Sequence, residues 1–86
     1  MKWRYMITYG CMKPGVTGEQ IVKDMAKYKA ELEKADIKIV FWGHPFGTTE
    51  DMVVVLDLKG DMDKYLKVNA EPPFTGSRTN IVLERT

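Results

Sequence analysis

Met52-Val53-Val54-Val55-Leu56-Asp57-Leu58 is the longest β-branched and apolar run in the chain, and the fold turns on how it is read. Acidic Glu50-Asp51 precedes it and Lys59-Gly60-Asp61 follows it. A run this short, bounded by turn-formers, reads as a strand with both faces largely covered. An inner strand needs partners on both edges, and the rest of the chain supplies candidates.

Residues 2–9 alternate, with Trp3, Tyr5, Ile7 and Tyr9 on one side and Arg4, Met6 and Thr8 on the other, which predicts a first strand. Gly10 to Gly15 reads as a loop ending in the turn signal Pro14-Gly15. Thr17-Gly18-Glu19-Gln20 matches a capping box, with Thr17 reaching the amide of Gln20 and the Gln20 side chain reaching back. Ile21, Met25, Tyr28 and Leu32 recur behind it at helical spacing, so a helix is predicted over about 18–35. Oppositely charged pairs four apart (Glu19–Lys23, Lys27–Glu31, Lys29–Glu33) suit its outer surface.

Ile37–Trp42 is a second strand, with Ile37, Ile39 and Phe41 facing one way and Val40 and Trp42 the other. Gly43-His44-Pro45-Phe46-Gly47-Thr48-Thr49 follows as a loop. After the central run, Asp61 caps a short helix carrying Met62, Tyr65 and Leu66. Residues 70–76 read as irregular. A last strand, about 78–85, places Thr79, Ile81 and Leu83 against Asn80, Val82 and Glu84.

The order β-α-β-β-α-β predicts an α+β chain of ferredoxin-like type, an antiparallel four-stranded sheet with two helices on one face. Trp3/Tyr5/Ile7, Ile37/Ile39/Phe41, Met52/Val54/Leu56/Leu58 and Ile81/Leu83 are then expected beneath the helices. The opposite face would present Met6, Val40, Trp42, Val53, Val55 and Val82 among Arg4, Thr8, Asp57, Asn80 and Glu84. That is more apolar surface than a sheet in water normally shows, and a second copy of the chain is its simplest cover.

The 86 residues are expected to form one domain, 1–86, with no disulfide because Cys11 is the only cysteine. A lone thiol, a start without the apolar core of a secretory signal, and no run near ~20 apolar residues together predict a cytoplasmic chain. Thirteen Lys and Arg balance 12 Asp and Glu without a basic block, which argues against nucleic acid as a main partner, and with no spanning run no membrane partner is expected. No metal-binding spacing and no phosphate-cradling glycine motif occurs, so neither a metal nor another cofactor is expected. The inner strand Met52–Leu58 also lacks the aromatic pattern of RNA-recognition sheets.

Element order, length, the apolar second face and the loop Gly43-His44-Pro45-Phe46-Gly47 resemble the dimeric α+β barrel superfamily, in which two ferredoxin-like chains pack sheet to sheet. The resemblance implies a homodimer and a small-molecule cavity. It also brings in activities of that group, such as cofactor-free oxygenases and isomerases.

His44, the only histidine, is the candidate general base or polar donor; the plainer reading is a loop histidine bonded to backbone. Thr8, Trp42 and Asn80 are expected to gather near it as ligand-binding groups, or to line a partly wet interface. Arg4, Asp57 and Glu84 are expected to form an ion cluster that sets the register of an interface, or else an anion clamp. Cys11 lacks an adjacent base and is a poor nucleophile candidate. Two functions follow: a small-molecule-binding homodimer, enzyme or carrier, and an interaction or regulatory module whose apolar face serves only for association.

Overall fold

The computed structural model describes residues 2–68 and 70–85, without the side chains of Lys2, Trp3 and Ser77. The order is β1 (Lys2–Met12), α1 (Gly18–Lys34), β2 (Lys38–Gly43), β3 (Met52–Asp57), α2 (Met62–Lys67) and β4 (Phe74–Glu84). The four strands form one antiparallel sheet in the order β2-β3-β1-β4. The central run is an inner strand, as its composition predicts. This α+β architecture is compatible with a ferredoxin-like sandwich. Among the described residues, no helix is long and apolar enough to cross a membrane.

Ile21, Met25, Tyr28 and Leu32 of α1 are all buried against the sheet, as their spacing predicts. The Thr17 hydroxyl accepts from the Gln20 amide at 3.1 Å. The second half of the expected capping box is absent, because the Gln20 side chain donates forward to Asp24 instead, at 2.8 Å. The helix ends in a Schellman motif: Ile37 N bonds Leu32 O and Asp36 N bonds Glu33 O, each at 3.0 Å. This turn requires a left-handed residue, and Asp36 fills the place usually given to glycine, at φ 59°. Lys59 and Lys64 each hold its carboxylate at 2.8 Å. Those contacts, first of all the hydrogen bond from Lys59, lower its pKa to about 2.

The first and last strands run further than their composition suggests. β1 continues through Gly10, Cys11 and Met12, and β4 starts at Phe74, so that Met12 pairs with Phe74. Glycine makes this possible: a Cβ on Gly10 would lie 2.4 Å from Phe74 Cδ2. The Phe74 ring sits in that space and meets Tyr28 of α1 edge-on, with centroids 6.3 Å apart.

The ladder decides which side chains meet the helices. Ile39, Leu56, Met6 and Ile81 form one cross-strand row on the helix side, and Trp42, Val54, Thr8 and Thr79 form the next. Two expectations are corrected here. On β1 it is Met6 and Thr8 that lie under the helices, while Tyr5, Ile7 and Tyr9 face away; the assignment of Trp3 falls outside the described side chains. Thr8 and Gly10 are small enough to admit Phe74 and the helix layer, whereas tyrosine hydroxyls are better left near water or a partner. On β2, an irregularity between Ile39 and Phe41 adds Val40 as an extra residue. One inserted residue reverses all that follows, so Trp42 joins the core side and Phe41 moves to the open side. For β3 and β4 the predicted faces agree with the ladder.

Candidate functional site

The open face of the sheet is built as three cross-strand rows. Lys38, Asp57, Tyr5 and Val82 form the first; Phe41, Val55, Ile7 and Asn80 the second; Gly43, Val53, Tyr9 and Arg78 the third. The middle row and its neighbours make an apolar floor. Val55 is 8% exposed although no layer covers it, while Phe41 at the edge is 55% exposed and Val82 39%. The centre of the floor is shielded by its own flanking side chains, so the uncovered apolar surface lies along its two edge strands.

An arginine stands at each end. The irregularity between Trp3 and Tyr5 turns Arg4 onto this face, where it donates to Glu84 at 3.1 Å and to Asp57 at 3.3 Å. The guanidinium also lies 5.4 Å from the Tyr5 ring centroid. Its pKa is raised above the ordinary value, first by the hydrogen bond to Asp57 and then by that to Glu84. The ion cluster expected of Arg4, Asp57 and Glu84 is therefore present. Its Nε–H is shut off from solvent without an acceptor, a desolvation cost that the cluster carries.

At the other end, Arg78 lies over the Tyr9 ring at 4.4 Å and donates to Glu50 at 2.9 Å. Thr48 also donates to Glu50. The hydrogen bond from Arg78, with that from Thr48, lowers the Glu50 pKa to about 2. Arg78, Glu50, Tyr5, Tyr9 and Phe41 are site residues that the sequence reading did not single out. The signal was available in part: tyrosines two apart on one strand suit a surface that is apolar at the ring and polar at the tip.

The residues expected to surround His44 do not assemble. Thr8 is 8% exposed on the helix side, where its hydroxyl meets that of Thr79 at 3.2 Å. Trp42 is on the same side but separated from Thr8 by Val54, and Asn80 is exposed on the opposite face. Only Trp42 reaches His44, edge-on with centroids 6.1 Å apart.

His44 itself is exposed, with Nδ1 2.8 Å from the carbonyl of Asp51. A carbonyl only accepts, so Nδ1 is the donor in this contact. Asp51 in turn accepts from the Met12 amide at 2.8 Å. Asp51 thus ties the loop before β3 to β1, and His44 closes the loop onto Asp51.

A cleft of about 440 Å³ does exist, between α1 and the segment 71–73, lined by Lys13, Asp24, Tyr28 and Pro72 among others. None of Thr8, Trp42, His44 or Asn80 borders it. Burial pushes the Tyr28 hydroxyl up to about 12, so it is a neutral hydrogen-bonding group there. Among the described residues, no group of three or more His, Cys, Asp and Glu is placed to hold a metal ion. Comparison with protein-family models, with curated proteins and with solved structures found no match.

Proposed function

We propose that the chain is an association module that self-assembles sheet to sheet, two ferredoxin-like subunits packing through their open faces in the manner of the dimeric α+β barrels. One observation carries this reading: an apolar floor, with its largest wholly apolar side chain, Phe41, 55% exposed at the rim and a paired arginine at each end. Covering such a face recovers about 25 cal/mol for each Å² of apolar area. Both arginines are already paired within the chain, so a partner that docks between the end clusters need not bring carboxylates of its own. Asp57, Glu84 and Glu50 occupy the guanidiniums, which disfavours a phosphate backbone as the occupant. Sedimentation equilibrium from low micromolar to millimolar concentration tests this. A dimer dispersed by Phe41→Ser supports it, and a monomer at every concentration rejects it.

A second reading keeps the dimer and adds a small, partly apolar molecule held between the two floors. Tyr5, Tyr9 and Asn80 favour it, since they place a few polar groups on otherwise apolar walls. The site then shifts from the Trp42–His44 end to the middle of the sheet. A role for His44 as base in an oxygenase or isomerase is not needed by either reading, because its Nδ1 serves the loop and its ring lies off the floor. Ligand-observed NMR with a fragment library separates the two readings. Hits lost in Tyr5→Phe and Tyr9→Phe indicate a ligand, and their absence leaves association alone.

A further inference from the structure

The loop before β3 ends in an unusual presentation. Phe46 is 101% exposed, between Pro45 and Gly47, whose φ of +82° suits glycine. The loop beneath it is not slack. His44 bonds Asp51 O, Asp51 bonds the Met12 amide, and Glu50 is held by Arg78, Thr48 and Thr49. A large apolar side chain is thereby held out on a tethered support, which lowers the ordering cost of docking it. Charge narrows the kind of partner. Residues 43–49 contain no Lys, Arg, Asp or Glu in a chain where such residues make up 29%. That composition fits an apolar receptor better than a nucleic acid or an anionic membrane.

Area points to a particular receptor. Four strands about 4.8 Å apart and three rows of two residues give a floor of about 400 Å². A stable interface buries about 800 Å² on each partner, so the floor alone falls short. A docked phenylalanine adds roughly 150–250 Å². Two reciprocal fingers narrow the gap on both sides at once, as a two-fold arrangement requires. We infer that Phe46 of each copy seats on the open sheet face of the other, so that neither floor is complete without its partner's loop. This rests on the sheet-to-sheet dimer proposed above.

The test is sedimentation equilibrium on the 86-residue chain and its variants Phe46→Ser, Phe46→Leu, Val82→Ser and the Phe46→Ser/Val82→Ser double. Thermal melts at low concentration serve as a folding control; a fully exposed Phe46 leaves them unchanged. The wild type is expected to dimerise, Phe46→Ser to weaken the dimer by about 30-fold, and Phe46→Leu to stay within about threefold. If the finger meets the floor, the double variant loses less than the product of the two single losses. A wild-type dimer with Phe46→Ser within about threefold removes the finger and leaves the dimer standing. Losses that simply multiply place the finger off the floor and overturn its assignment. A wild type that remains monomeric rejects both, and co-sedimentation of that monomer with neutral phosphatidylcholine vesicles would reassign Phe46 to a lipid surface.

Discussion

Leu56 and Val55 are neighbours on β3 and point to opposite sides of the sheet. Leu56 is 1% exposed, closed in by α1, while Val55 is 8% exposed with only its row-mates Ile7 and Phe41 beside it. Similar burial is reached by two routes. On the helix side a second layer interdigitates with the sheet, so removing atoms leaves a void that little can fill. On the open side the shielding is lateral, and the neighbouring chains can relax into a gap. The helix side therefore holds the fold together, and the open side is free to serve association.

The largest expected effect tests that contrast directly. Leu56→Ala should cost about 3 kcal/mol, and Val55→Ala about 1 kcal/mol, in denaturant unfolding at low micromolar concentration. Equal costs at that dilution would mean the open face is already covered, and the contrast would fail. Gly10→Ala comes next. Its methyl would meet the Phe74 ring, which is pinned against Tyr28, so a loss of about 2 kcal/mol is expected from the same measurement.

Acid sharpens the comparison at two carboxylates, Glu50 on the open face and Asp36 at the end of α1. Glu50 and Asp36 have folded pKa values near 2, below the ordinary carboxylate value of about 4. With the folded value depressed, the unfolded chain binds more protons between these limits. The stability from both pairs is therefore complete above the unfolded pKa and is lost as pH falls toward 2. Thermal melts between neutral pH and pH 3 should show this decline, and Arg78→Gln should flatten the part owed to Glu50 on the open face. An unchanged slope in Arg78→Gln would show that this pair does not contribute.

The smallest effect on folding is expected from Phe41→Ser. With a ring more than half exposed, it should change unfolding by less than about 0.5 kcal/mol in dilute solution. The wild type should gain thermal stability as its concentration rises, and the variant should not. A concentration-independent melt in both would detach the open face from association.

Much of the fold was legible because periodicity reports directly on burial. Ile21, Met25, Tyr28 and Leu32 lie on one helical stripe whatever they pack against, and Met52–Leu58 is too apolar and too short for an edge strand or a helix. Antiparallel order brings Arg4, Asp57 and Glu84 to the same end of the sheet, as expected, but it is the irregularity between Trp3 and Tyr5, silent in the sequence, that puts Arg4 on the open face. The His44 group was not legible, because it placed Thr8 and Trp42 on the open face with Asn80, whereas both lie on the helix side.

Period-two alternation in β1 separates Tyr5, Ile7 and Tyr9 from Met6 and Thr8, but alternation has no sign. Which set lies inward depends on the ladder with β3 and on Phe74 needing the space above Gly10, contacts far apart in the chain. The extra residue at Val40 is equally silent in the local pattern, yet it sends Trp42 to the core and Phe41 to the surface. The amino-acid order alone determined which residues stand together, and only the assembled sheet decided which way they look. Strand propensity is a local property, whereas the choice of face is settled by the best joint packing of distant segments.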